Sequence, residues 1–246
     1  MDNKKIYPND YSTTWFEVFL ESIQPVQTES EIEFLARNLP NPPYSKILDL
    51  CCGLGRHSMG LANIGYQVTG LDINEIVLAR ARKHSDKPVE YIKQDMRKLD
   101  EFQTSFDAVV NLWQSFGYFD DVVNEHILKQ ICRILSPKGR LILDIYHRGF
   151  FELHQGARQF EKDGLTITET KMMSENRLTV DLEYKNRGAD RFNWRLYTPN
   201  EIVEVAARSG FKALITCTGF NENTPTAPDK PRMQIVFEKT ENEMAL

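Results

Sequence analysis

The chain has 246 residues, 41% of them hydrophobic and 26% charged, and a formal net charge of −5. That length and apolar content support a sizeable core and exclude global disorder, and the lack of a basic surplus argues against a duplex-binding protein, whose affinity comes largely from neutralising phosphates. Four cysteines with no C-x-x-C pair and no zinc-like Cys/His spacing predict free thiols, and neither a disulfide framework nor a metal centre. No stretch approaches the run of about 20 apolar residues that a membrane span needs, and the N-terminus has no secretory apolar region. The expectation is a soluble, cytoplasmic protein.

Two helices are predicted first. Trp15, Phe16, Val18, Phe19 and Ile23 give one an apolar face; the other opens with Thr28 and Glu31 at capping-box spacing, carries Ile32, Leu35, Ala36 and Leu39 on one stripe, and stops at Pro40, Pro42 and Pro43. Strict alternation follows. Strands are predicted at 46–51, 67–71, 89–93, 106–112 and 139–146, and helices at 56–64, ending at Gly65, at 74–84, capped by Asn74, and at 122–135. Such alternation means βαβ units and a mainly parallel sheet. After Phe150 the pattern changes. Leu178, Val180, Leu182 and Tyr184 alternate with polar residues, as do Phe192, Trp194 and Leu196, which with 165–171 predicts an inserted antiparallel sheet of about three strands. Thr198 and Glu201 then form a capping box with Pro199 at the first helical position, and strands at 211–218 and 233–239 flank a polar loop.

The chemistry concentrates in Ile47-Leu48-Asp49-Leu50-Cys51-Cys52-Gly53-Leu54-Gly55-Arg56-His57-Ser58. A strand delivers an acid near its carboxyl end, a glycine turn lets the backbone approach a ligand, and a helix begins at once, which is where open α/β sheets bind ligands. Leu71-Asp72 ends the second strand with a carboxylate suited to a ribose diol, and Asp95 in Gln94-Asp95-Met96 follows the third, placed to accept from an adenine amino group. A dinucleotide fold needs its glycine loop free for a pyrophosphate. Here Asp49 stands just before the glycines and Ser58 replaces the third glycine, so the electrostatics favour a cationic adenosine cofactor, S-adenosyl-L-methionine, over NAD. Asn41-Pro42-Pro43-Tyr44 imitates an amine-methylating motif, but it precedes the first strand rather than following the fourth and reads as a linker.

Asp49–Gly55, Leu71-Asp72-Ile73, Gln94-Asp95-Met96, Phe106-Asp107-Ala108-Val109-Val110-Asn111 and Leu135-Ser136-Pro137-Lys138-Gly139-Arg140-Leu141 together resemble the motifs of the class I S-adenosylmethionine-dependent methyltransferases. Cys51 stands where that family usually has glycine, and the Cys-Gly-x-Gly-Arg-His form is similar to a subgroup of small-molecule N- and O-methyltransferases. The resemblance implies an α/β, Rossmann-like, seven-stranded, mostly parallel sheet flanked by helices, its last strand antiparallel, with an N-terminal helical cap and a small antiparallel insertion. One domain is expected: cap 1–44, cofactor-binding core 45–150, insertion or lid 151–197, and completion of the core sheet 198–246. The implied donor contacts are Asp49, Cys51, Gly53, Gly55, Asp72, Ile73, Asp95, Met96 and Asn111.

Aromatic residues suggest an acceptor chamber over the donor. Trp113, Phe116 and Tyr146, with Arg148 and Arg195, are the candidate acceptor contacts, and Tyr118, His147 and Tyr11 the candidates for orienting or deprotonating the acceptor. No metal is expected, since Asp144 has no second carboxylate beside it. The function expected is methyl transfer to a nitrogen or oxygen of a small molecule by in-line displacement, releasing S-adenosylhomocysteine, in a monomer or homodimer with neither nucleic acid nor membrane as partner. The alternatives are a methyltransferase acting on RNA or a protein side chain, and a non-catalytic S-adenosylmethionine or nucleotide sensor.

Overall fold

The structure is a computed structural model that describes residues 9–20 and 22–241. Residues 1–8 of the predicted cap, residue 21 and residues 242–246 lie outside the described residues. The chain begins with a helical turn, α1 (Thr13–Trp15), continued by a π-helical turn at Phe16–Leu20, and then α2 (Pro25–Asn38). The alternating core follows as β1 (Lys46–Leu50), α3 (Arg56–Asn63), β2 (Gln67–Asp72), α4 (Glu75–His84), β3 (Val89–Lys93), β4 (Phe106–Asn111), α5 (Asp121–Ile134) and β5 (Leu135–Tyr146). A short helix α6 (Arg148–Leu153) leads into β6 (Gly156–Lys162), β7 (Leu165–Ser174), β8 (Arg177–Tyr184) and β9 (Gly188–Arg195). The chain then returns through α7 (Pro199–Arg208), β10 (Phe211–Thr218), β11 (Asn221–Pro225) and β12 (Arg232–Lys239).

The large sheet has the order β11-β10-β12-β5-β4-β1-β2-β3. Strands β3 to β5 in that order run parallel, and β12 is antiparallel to both β5 and β10. The apolar runs that predicted buried strands arise because both faces are covered. On one face Leu48, Leu50, Val109, Leu141, Leu143, Ile235 and Phe237 meet Ile127, Leu128 and Ile131 of α5 and Ile202 of α7. On the other, Ile47, Val68, Ala108, Val110, Ile142 and Val236 meet Phe34 and Leu35 of α2 and Leu61 of α3. Each such side chain contributes about 1.5–3 kcal/mol on burial.

Several details differ from the sequence expectations. Among the described residues the large sheet has eight strands, because β11, within what reads as a polar loop, pairs with β10 and becomes the edge strand. The inserted sheet has four strands, in the order β6-β7-β8-β9; β6 was not legible because it is largely exposed and shows no apolar alternation. Helix α2 starts at Pro25, with Gln24 as its cap, so Glu31 is not part of a capping box. Thr198 and Glu201 do form the reciprocal box of α7, and Asn74 caps α4. Asn41–Tyr44 lies in the turn before β1, at the opposite end of the strand from the glycine loop, with the Tyr44 ring under Arg140.

The inner face of the small sheet carries Leu178, Val180, Leu182, Phe192 and Trp194, and the N-terminal segment packs onto it through Val18, Trp15 and Tyr11. Polar ties hold that segment in place. Ser12 donates its backbone N–H and hydroxyl to the two oxygens of buried Asp190 (3.0 and 2.7 Å), and Tyr184 donates to the same carboxylate at 2.7 Å. The loop after β4 is joined to the end of β9 by the Arg195 N–H donating to the Gly117 carbonyl at 2.7 Å. Gly117 has φ +104°, and a Cβ there would lie 2.4 Å from the Arg195 carbonyl oxygen. Gly117→Ala should therefore lower unfolding stability by about 2–3 kcal/mol, measured as a urea-midpoint shift at unchanged slope.

Candidate active site

The glycine loop leaves β1 through three left-handed residues, Cys51 (φ 63°), Gly53 (φ 55°) and Gly55 (φ 75°). Gly55 caps α3 and has no room for a side chain, since a Cβ would stand 2.3 Å from the Tyr91 hydroxyl. Around Gly53 nothing lies within 4 Å of that position, which leaves a bare backbone surface. Asp72, at the end of β2, braces this loop. Its Oδ2 accepts from the Gly53 N–H and its Oδ1 from the Asn74 N–H, both at 2.9 Å. Asp49 is buried on β1 and accepts from the Ser58 hydroxyl at 2.5 Å. Burial raises the pKa of both carboxyls above the usual carboxylate range.

Asp95 follows β3 and is clasped by Arg97, with Nε 3.0 Å from Oδ1 and Nη2 2.5 Å from Oδ2, an arrangement that lowers its pKa. Met96 is buried with its sulfur 3.7 Å from that of Cys51. Burial first, then the charges of Asp72, Asp49 and Asp95, push the Cys51 thiol far up, so it stays protonated and is a poor nucleophile. Asn111 donates to the Leu50 carbonyl at 2.8 Å, while its own Oδ1 is buried without a partner. Ile73 lies on the exposed turn beyond Asp72.

Across from this loop, the Tyr11 and Tyr118 hydroxyls share a hydrogen bond of 2.7 Å. The Tyr118 ring is 6.5 Å from that of Trp194, which stands edge-on to Tyr146 at 5.7 Å. Burial raises the pKa of Tyr11, Tyr118 and Tyr146, and the nearby Cys51 thiol adds to the shift at the first two. All three tyrosines are half-buried.

Other candidates lie elsewhere. Phe116 is fully buried in the main core against Tyr197, so it packs rather than lines the cleft. Arg148 pairs with Glu201 at 2.6 Å and with Glu152 at 3.0 Å. Arg195 pairs with Asp121 at 2.8 Å and lies over the Tyr197 ring at 4.3 Å. Both arginines are thus held in ion pairs with residues of α5, α6 and α7. His147 is buried; its backbone N–H donates to the Pro231 carbonyl, and its Nδ1 has no partner. Burial lowers its pKa, and no described contact brings it to Tyr11 or Tyr118.

A sequence profile described as a methyltransferase domain matches residues 47–139. "Putative methyltransferase YqeM" of Bacillus subtilis (strain 168) is 38% identical over 203 residues, spanning 76% of this chain and 81% of that protein. The chain belongs to the methyltransferase family. Its fold is that of the class I S-adenosylmethionine-dependent enzymes. A crystal structure of such a methyltransferase from Clostridium acetobutylicum ATCC 824 superposes with a TM-score of 0.77 at 16% identity, covering 93% of this chain and 97% of that one. CalS10 from Micromonospora echinaspora, described as an amino pentose methyltransferase with S-adenosylmethionine bound, gives 0.67 at 18% identity, covering 95% and 100%.

The site of this methyltransferase includes groups that the sequence reading passed over. Glu31 of α2 is fully buried and accepts from the Trp113 indole N–H at 2.9 Å, from Arg56, and pairs with His57 Nε2 at 2.7 Å. The available signal was an acid four residues before Leu35, on the apolar stripe itself. Asp144 is likewise buried, and its oxygens accept from Arg232, from Gln234 Nε2 at 2.8 Å and from the Trp113 backbone N–H at 3.0 Å. It is a structural acceptor whose two oxygens are both engaged. Burial opposes the charge on Glu31, but His57 and Arg56 outweigh it and pull its pKa from 4.5 to about 2.

The stabilisation from ionised Glu31 is complete above pH 4.5 and drains away as the pH falls toward 2. Glu31→Gln should lower stability by ~3 kcal/mol at pH 7, with the gap to the parent narrowing in urea titrations at pH 3.

Proposed function

We propose that this methyltransferase uses S-adenosylmethionine to methylate a nitrogen or oxygen of a small molecule held in the cleft beside Tyr11 and Tyr118. The observation that carries the reading is the buried Tyr11–Tyr118 hydroxyl pair set opposite a glycine loop ringed by Asp49, Asp72 and Asp95. The donor set fits a cationic adenosine ligand. The bare backbone at Gly53, the unpartnered Oδ1 of Asn111 and three nearby carboxylates provide acceptors and negative charge, and they repel phosphate. Asp72 would hold the ribose, Asp95 the adenine amino group beside Met96, and Asp49 with Asn111 and the Cys51–Gly55 backbone the methionine end. Ile73 would cover the adenine from the turn. When bound, S-adenosylmethionine supplies an electrophilic methyl group on a sulfonium and leaves as S-adenosylhomocysteine.

The protein's own contribution is placement in a dry space. Aligning two reactants this way supplies about 7–11 kcal/mol of a barrier. Tyr11 and Tyr118, kept as neutral phenols by burial, orient the acceptor by hydrogen bonding rather than by removing a proton. A neutral amine suits them better than an alcohol, because its lone pair needs no base. A small acceptor also accords with the amino pentose that the CalS10 description assigns to that protein. Trp113 and Tyr146 would flank the acceptor. His147 is the reserve base, neutral because of its burial, and would serve only an acceptor that reaches beyond Tyr146.

Incubation with S-adenosylmethionine and a panel of small amines and phenols should release S-adenosylhomocysteine for at least one amine. Release with none, alongside release with RNA or protein acceptors, would refute the reading. Tyr118→Phe should cut kcat/KM about tenfold while leaving donor affinity by calorimetry unchanged. Because burial raises the pKa of Asp49 and Asp72, donor affinity should fall with decreasing pH sooner than for ordinary carboxylates, and Asp72→Asn should weaken binding at neutral pH.

A further inference from the structure

We infer that Arg232 is the anchor for a carboxylate on the methyl acceptor, so that the substrate class is an amine bearing a carboxylic acid; this rests on the small-molecule reading above. Arg232 opens β12 directly opposite Tyr146, the last residue of β5, at the ligand end of the sheet. Its guanidinium carbon stands 5.1 Å from the Tyr146 ring and 5.1 Å from the Trp113 ring, so the group is wedged between two aromatic walls of the cleft. Its side chain nonetheless keeps 22% of its surface accessible.

The hydrogen bonding leaves one edge of the fork unused. Nε donates to Asp144 Oδ1 at 3.0 Å and Nη2 to Asp144, while Nη1 donates to no described residue. Asp144 does not depend on Arg232 alone, since Gln234 and the Trp113 N–H share its two oxygens. Its negative charge is therefore spread over several donors, and the guanidinium retains positive character at Nη1. The other charge facing this group is Glu31, which Arg56, His57 and Trp113 engage. A planar carboxylate matches the flat slot and the single free edge of a guanidinium. A phosphate, with more charge and no plane, matches that flat edge less well and adds more repulsion with Glu31 and Asp144. Tyr146 stands edge-on to Trp194 at 5.7 Å, and Trp194 lies 6.5 Å from Tyr118, so a chain of aromatic rings runs from Arg232 to the tyrosine pair. An acceptor anchored at Arg232 would present its amine there.

The test is calorimetric titration of the full chain with 4-aminobenzoate, 4-aminobenzamide and 4-aminophenyl phosphate, each with and without saturating S-adenosylhomocysteine. The inference expects the carboxylate to bind at least tenfold more tightly than the amide or the phosphate ester. In the paired variant Arg232→Gln/Asp144→Asn, which leaves no buried charge unpaired, the carboxylate should lose about tenfold while S-adenosylhomocysteine affinity and melting temperature hold. Equal affinity for carboxylate and amide, no carboxylate binding, tighter phosphate binding, or full retention in a folded paired variant would each overturn it. The comparison of carboxylate with amide in the parent protein stands even if the variant does not fold. Failure to bind S-adenosylhomocysteine counts against the donor reading alone, because the ligand-free titrations still decide the role of Arg232.

Discussion

Glu31 is a fully buried carboxylate on α2, and it accepts from Arg56, His57 and the Trp113 indole, which two separate stretches of the chain deliver. Arg56 and His57 begin the helix after the glycine loop, and Trp113 follows β4. A buried charge without such partners would cost several kcal/mol, so satisfying Glu31 requires the donor loop, the post-β4 loop and α2 to hold one relative position. The donor side and the acceptor side of the cleft are thereby registered through a single group that touches neither ligand.

Around that anchor the electrostatics divide the cleft. Three aspartates close three neighbouring strands and give the glycine loop a negative surroundings, strong enough with burial to keep Cys51 a thiol. The middle is neutral and aromatic, with the Tyr11–Tyr118 pair held as phenols. At the far side, the cation Arg232 stands over Tyr146 and Trp113. A cationic donor suits the acidic end of such a gradient. The tie of Ser12 and Tyr184 to Asp190 matters to the same end, because it fixes the segment that brings Tyr11 over the cleft.

The alternating core was legible because a parallel sheet covered on both faces writes itself as short apolar runs between amphipathic helices, each punctuated by a glycine or a cap. The strand-end acids were legible for a related reason, since a charged residue at the end of a buried strand has nowhere to go except the ligand edge. Edge pairing was not. β6 and β11 carry largely exposed residues, and only contact with a neighbouring strand makes them strands. The partners of Arg148 and Arg195 were not legible either, since Glu201, which is separated from Arg148 by the whole inserted sheet, pairs with the first and Asp121 with the second.

The sequence alone therefore determined the parallel core of the sheet, the glycine loop and the place of the three acids, since these depend on periodicity and on residues within a few positions of one another. Tertiary structure alone decided which charged groups are held by other charges. Glu31, Arg232 and Asp144 pair with residues 25 to 88 positions away. The energy of a buried charge is set by what surrounds it in space, and no local pattern encodes that.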